Sequence, residues 1–416
     1  MKPIYPALSR TLLFFLILPF SLSSSAQSPS LCPLASALVM NNGTPVTTLK
    51  QWPARRKELL EMFTQQMYGV SPAKPTNMRF KVTDEDKNAL QGMATRKQIT
   101  VYFNGKEDGP VMHLLMYLPN NLHYPVPAIL GLNFYGNQAI SFDSAIMVDT
   151  SWMDNGDKGV VNHHATEATR GADTSRWPLA MILSHGYALV TAYRGDIDPD
   201  YDDGFKNGIQ GIYPELQNRV DNFSTIAAWA WGLSRALDYL QTDKDINAKK
   251  VALFGWSRLG KAALWASATD ERFNLVISNE SGAGGSKLFH HNGGETVQHL
   301  CTAFPHWFCK NFRQYIGMDT CMPFDQHMVL SLIAPRPVYI GSAQDDGDPL
   351  GDFLAAKAAD STYRFLGTKG FPATTMPAVN QPVYAQIGYH MRAGKHDVTD
   401  YDWEQYLNFI DMHFKK

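Results

Sequence analysis

The chain has 416 residues and a net charge of −2 with both signs interleaved, which points to no nucleic acid or bulk anionic surface as partner and leaves any charge selectivity local to a site. Forty-four per cent hydrophobic residues suffice for one large α/β domain or two ordinary ones. Aromatic residues make up 12% and include nine Trp, which suits stacking on sugar rings as well as ordinary packing.

Residues 1–26 combine a basic start, the apolar run LLFFLILPF and a small-residue stretch ending near Ala26, the pattern of a secretory signal. The run is too short, and broken too early by Pro19, for a membrane span. The expectation is a secreted or periplasmic protein with no membrane partner after cleavage. Four cysteines, Cys32, Cys301, Cys309 and Cys321, show neither CxxC spacing nor a zinc pattern, so one or two disulfides and no metal or cofactor are expected.

Residues 27–50 read as an irregular leader. WPARRKELLEMFTQQMYG (52–69) has helical apolar spacing and ends on Gly. VMHLLMYLP (111–119) and VPAILGLNF (126–134) read as strands joined by a polar turn, and ALVTAYRG (188–195) as a strand after a helix near Trp177–Ser184. DNFSTIAAWAWGLSRALDYLQ (221–241) starts with cap-type residues and continues as a long apolar helix. It leads into the strand VALFGW (251–256), a turn at Ser257 and the helix GKAALWASA. The strands LVISNES (275–281) and PVYIGSAQ (337–344) follow, then a last helix over 400–414. This alternation predicts an α/β fold over 51–416, a mostly parallel sheet sandwiched by helices in three layers, forming a single catalytic domain.

A strand, a Gly-flanked Ser and a helix make the setting of a nucleophile elbow, where small neighbours let strand and helix approach. Here the pattern is GWSRLG: Gly255 precedes Ser257 by two residues and Gly260 follows it by three. A helix-cap serine is the competing reading, and the flanking elements favour a nucleophile. Its base is expected on a loop after the last strand, where GYHMRAGKHDVTDYDW offers His390 and His396. His396, after Gly-Lys and before the last helix, is preferred, with His390 a hydrogen-bonded structural group. His290, His291, His299 and His306 either line the site or lie on the surface. The orienting acid is Glu280, closing the strand after the elbow helix, or Asp346 or Asp345 in QDDGD at the end of the next strong strand.

GWSRLGKAALW, NESGAGGSK, GGET, FPHWF and GKHDVT together resemble the glucuronoyl esterases of carbohydrate esterase family 15, over roughly residues 50 to 416. The resemblance implies an α/β-hydrolase fold and hydrolysis of the ester between (4-O-methyl)glucuronic acid of glucuronoxylan and an alcohol, a lignin–carbohydrate ester; a monomer is expected. It implies Ser257 as nucleophile, His396 as base, an acid shared among Glu280, Asp346 and Asp345, and Arg258 as an oxyanion-hole arginine. Lys261 and Glu295 match sugar-binding positions, and Trp307 is a further candidate. Ala303 stands where many relatives carry a sugar-binding Gln, and the QDDGD loop is short and lacks a sugar-contacting Trp, so substrate preference departs from the pattern before reaction type does. An acetylxylan or feruloyl esterase, or a non-catalytic xylan-binding protein, are the rival readings.

Overall fold

The computed structural model describes residues 32–123 and 125–415 together with Met1. Beyond Met1, the expected signal sequence lies outside the described residues. Pro33–Lys416 form one compact unit.

Among the described residues nine strands build one sheet: β1 Arg79–Ala89, β2 Ala94–Tyr102, β3 Val111–Pro119, β4 Val126–Asn133, β5 Ala188–Tyr193, β6 Ile246–Trp256, β7 Leu275–Asn279, β8 Val338–Ala343 and β9 Ile387–Arg392. Their spatial order is β1-β2-β3-β5-β4-β6-β7-β8-β9. The first three pairings are antiparallel, and all five from β5 to β9 are parallel. β3 and β4 are consecutive in sequence, yet β5 inserts between them. The β1–β2 hairpin had no apolar run to announce it. β1 reads RFKVTDEDKNA, is mostly exposed, and forms the edge of the sheet, where charge blocks pairing with other chains.

The helices that matter below are α1 Trp52–Phe63, α2 Leu179–Ser184, α3 Thr225–Leu240, α4 Arg258–Thr269, α5 Gln326–Ile333, α6 Pro349–Phe365 and α7 Asp400–Phe414; short helices Arg194–Ile197 and Val297–Ala303 lie in the connections. Successive strand residues face opposite sides of a sheet, so parallel strands covered on both faces need continuous apolar runs. That is the pattern here. Leu130, Leu253 and Ile340 join a core with Phe63 of α1, Trp229 of α3, Leu264 of α4 and Phe353 of α6. Their neighbours Ile129, Phe254 and Tyr339 join a second core with Ile182 of α2 and Leu407 and Phe409 of α7. The second layer forms because α7 supplies large rings; Trp403, Tyr406 and Phe409 are all fully buried. Among the described residues no helix is long and apolar enough to cross a membrane.

The ends of four adjacent parallel strands converge. Ser257 follows β6, Glu280 follows β7, Asp346 lies just past β8, and His396 follows β9. A crevice outside the carboxyl ends of parallel strands is where open α/β sheets keep their sites.

Candidate active site

Ser257 links β6 to α4 with φ 55° and ψ −130°, a left-handed conformation that costs a non-glycine residue about 1–3 kcal/mol. Its N–H donates to Asn279 O at 2.9 Å, which ties the turn to the end of β7. The two glycines explain how the bend closes. A β-carbon on Gly255 would run into the Leu259 carbonyl, and one on Gly260 would lie 2.8 Å from Ser281 Cβ and 3.0 Å from Gly255 O. The three-residue spacing to the second glycine thus serves the same steric purpose as the shorter motif.

A cavity of about 370 Å³ opens over this turn. Ser257, Glu280, Asp346 and His396 line it, and so do Arg258, Lys261, Glu295 and Trp307. Asp345 does not. It is exposed, with its N–H on Gly394 O at 3.0 Å, so the chain turn that brings Asp346 inward sends its neighbour out. Sequence alone could not separate the two.

His396 Nδ1 hydrogen-bonds Asp346 Oδ2 at 2.7 Å and lies 2.9 Å from Glu280 Oε2. One ring nitrogen carries one hydrogen, so Asp346 takes the hydrogen bond and Glu280 adds its charge alongside. Burial alone would lower the His396 pKa. The two carboxylates outweigh it and push the imidazole up to about 9. The carboxylates differ in setting: the Asp346 side chain is 30% exposed and that of Glu280 is 1% exposed. Burial raises the Glu280 pKa, opposed by His396 and Arg392.

Arg392, at the end of β9, holds this half of the site. Its guanidinium donates to Glu280 Oε1 at 2.7 Å, to the carbonyls of Lys395 and Asp397 at 2.6 and 2.8 Å, and to Asp402 Oδ2 at 2.8 Å. Asp397 N–H donates to Glu280 Oε2 at 3.0 Å. One buried arginine therefore fixes both Glu280 and the loop that carries His396. The other histidine of that stretch is structural: His390 is fully buried, with Nε2 on Asp402 Oδ1 at 2.8 Å and Nδ1 on the Tyr339 hydroxyl at 3.1 Å.

The opposite wall is cationic. Lys261 lies on the first turn of α4, buried, with Nζ donating to Ser281 O and Ala283 O at 2.6 Å each and 3.6 Å from Glu295 Oε2. Burial lowers its pKa, and Glu295 opposes the shift. Arg258 packs its guanidinium 4.7 Å from the centre of the Trp307 ring, and Trp307 in turn stacks on Phe304 at 3.7 Å. Arg258 Nη1 also donates to Asp200 Oδ2 at 2.5 Å, a partner from the loop after β5 that no motif had indicated. Residues 131–138, at the end of β4, do not line the cavity, although the Phe134 ring lies 5.0 Å from that of Trp256. Of the mid-chain histidines none lines it either, and His306 reaches Asp200 just behind it. Lys287 and Phe304 also line the cavity and had not been singled out. Lys287 stood at the end of the NESGAGGSK stretch, so its signal was present.

Among the described residues, two groups bring three metal-ligand-type atoms within 4.8 Å of one another: Glu280, Asp346 and His396, and, outside this cavity, His113, Asp149 and Asp196. Cys301 and Cys309 are free and buried, and Cys321 is disulfide-bonded.

A family model described as "Glucuronyl esterase, fungi" matches residues 134–367. The chain is 48% identical over 388 residues to Carbohydrate esterase MZ0003 of an unknown prokaryotic organism, covering 91% of this chain and 89% of that protein. It is 28% identical over 323 residues to 4-O-methyl-glucuronoyl methylesterase 1 of Wolfiporia cocos (strain MD-104), covering 73% and 72%. A solved structure of a glucuronoyl esterase from Solibacter usitatus superposes with a TM-score of 0.87 at 43% identity, covering 92% of this chain and 98% of that one.

Proposed function

The chain belongs to the glucuronoyl esterases of carbohydrate esterase family 15, and from that premise we propose that it hydrolyses the ester between (4-O-methyl)glucuronic acid of glucuronoxylan and an alcohol. The observation that carries this reading is a serine strained at φ 55° on a strand-to-helix turn, sharing one cavity with His396, its carboxylates, Lys261 and Glu295. In this reading residues 1–26 direct export to the periplasm or medium, residues 27–50 lead into the catalytic domain, and the enzyme acts as a monomer.

His396 takes the proton of Ser257 Oγ as the oxygen attacks the uronoyl carbonyl. The charge born on the carbonyl oxygen is met by backbone N–H groups at the start of α4 and by the Arg258 guanidinium, a charge-assisted donor. The alcohol leaves with the proton from His396, and water then repeats the sequence on the glucuronoyl-serine ester. Asp346 accepts the His396 Nδ1 hydrogen, and Glu280 beside it steadies the imidazolium. Lys261 and Glu295 hold sugar hydroxyls, with Trp307 as the apolar wall.

A broader ester range is the second reading. Ala303 does not line the cavity, and the 344–348 loop contributes Asp346, Gly347 and Asp348 but no aromatic ring, so two specificity contacts are missing. The experiment compares benzyl glucuronate, acetylated xylan and methyl ferulate as substrates. Preferential cleavage of benzyl glucuronate, lost by at least about 10⁴-fold in Ser257→Ala, is expected. Equal rates on all three favour the broader range, and undiminished activity of Ser257→Ala defeats both readings.

A further inference from the structure

We propose that Asp200 is a positioning residue that fixes the Arg258 guanidinium and the Trp307 ring together against the Ser257 turn. The proposal rests on the esterase reading above and adds to it the anchor that makes Arg258 usable.

Asp200 is almost fully buried, its side chain 4% exposed, and its two oxygens divide their work. Oδ2 accepts from Arg258 Nη1 at 2.5 Å and also from Arg194 Nη1. Oδ1 accepts from Trp307 Nε1 at 2.8 Å and meets His306 Nε2 at 2.9 Å. Burial alone would raise the pKa of this carboxyl. Arg194, His306, Arg258 and Trp307 reverse that and hold it well below the usual carboxylate range, so all four donors face a full negative charge.

One carboxylate hydrogen-bonds both guanidiniums, and Asp157 adds its charge to the pair without a hydrogen bond. Arg258 Nε is buried and has no partner among the described residues, and the same holds for Arg194 Nε. An arginine side chain has several rotatable bonds, and an oxyanion donor works only if it is already aimed when the charge appears. Asp200 supplies that aim through Nη1, while the Arg258 side chain as a whole stays 28% exposed and lines the cavity. Through Oδ1 it also sets the indole on which the same guanidinium packs, so oxyanion donor and sugar wall share one anchor.

The test is a double-mutant cycle of Asp200→Asn and Arg258→Ala, with Asp200→Glu as a charge-retaining variant that displaces the carboxylate. It is read as kcat and KM on benzyl glucuronate and phenyl acetate, and as the rate of Ser257 phosphonylation by a p-nitrophenyl alkylphosphonate. A preorganised donor acting on the transition state predicts a fall in kcat of about 10- to 100-fold for Asp200→Asn, with KM changed less, and a similar slowing of phosphonylation. In the Arg258→Ala background the same substitution should cost little more. Multiplying losses, or wild-type kcat in either Asp200 variant, overturn the proposal. Failure of both variants to fold assigns Asp200 to stability and overturns it too. If the wild type cleaves only phenyl acetate, the substrate reading fails while the cycle still decides the role of Asp200. If it turns over neither ester, phosphonylation decides it alone.

Discussion

Replacing Asp346 by Asn keeps the shape of the side chain and removes one of the two charges facing His396 Nδ1. In the wild type that imidazole is pushed up to about 9, so the free enzyme must lose a proton well above the ordinary histidine range before it has a base. The lower limb of kcat/KM against pH should therefore lie above about 6.5, the ordinary histidine value. A single opposite charge at this range moves a pKa by about 1–3 units, so in Asp346→Asn the limb should move about 1–2 pH units toward acid. Glu280, 2.9 Å from Nδ1 and pinned by Arg392, remains to orient the ring. The loss in kcat should thus be about 10- to 100-fold rather than the roughly 10⁴-fold that follows removal of a sole triad acid. The double variant with Glu280→Gln should approach the larger figure. Stability gives a second readout. A group whose folded pKa is raised stabilises fully below its unfolded value and loses that contribution as pH climbs through the folded one. The Tm advantage of wild type over Asp346→Asn should therefore be largest below about pH 6.5 and shrink as pH rises toward 9. Initial rates and thermal melts across pH 5–10, with Ser257→Ala as the blank, measure both. A lower limb at ordinary histidine pH, or one unmoved by the substitution, refutes the shared-acid account, and so does a 10⁴-fold loss from Asp346→Asn alone.

Arg392→Ala leaves Glu280 and Asp402 buried without the guanidinium that bridges them, each keeping a histidine partner, so chemical unfolding should report a destabilisation of about 3–5 kcal/mol. Gly260→Ala forces a β-carbon to within 2.8 Å of Ser281 Cβ, and overpacking of this kind costs about 1–3 kcal/mol, readable as a lowered Tm together with reduced kcat as the turn shifts. Lys261→Met removes a buried ammonium that reaches both the cavity and two backbone carbonyls. A charge-assisted hydrogen bond is worth about 1.5–3 kcal/mol, so KM for a glucuronate ester should rise by about 10-fold or more, exceeding the loss in kcat.

The parallel half of the sheet was legible because doubly covered strands must be continuously apolar, as VALFGW, LVISN and PVYIGSA are. β9 was not read as an apolar strand, since IGYHMR carries two polar side chains, and both are satisfied by Asp402, a residue on α7. The proposed catalytic groups could be placed for a related reason: each stands at or just past the end of a readable strand, so topology alone brings Ser257, Glu280 and Asp346 to one cavity. Their supports were hidden. Arg392 meets Glu280 across 112 positions and Asp200 meets Arg258 across 58, and nothing in the local sequence of either partner names the other. The choice between Asp346 and Asp345 was undecidable for a different reason, because it depends on the direction of one peptide turn.

The placement of charge in the cavity bears on what the site binds best. The ester is neutral at its carboxyl, so the entering substrate offers the cations no counter-charge. In the mechanism we propose, the tetrahedral intermediate places a negative charge beside Arg258 and the first turn of α4 and a positive one on His396. The protein already carries the opposite sign at both places: guanidinium and ammonium on the α4 side, and two carboxylates within 2.9 Å of the imidazole on the other. Such an arrangement gains most when the charges have separated and little before, which is the condition for raising kcat rather than tightening the ground state. Asp200 pairs with Arg258 and Arg392 with Glu280, so each sign is anchored on its own wall and the proposed field is in place before the ester arrives.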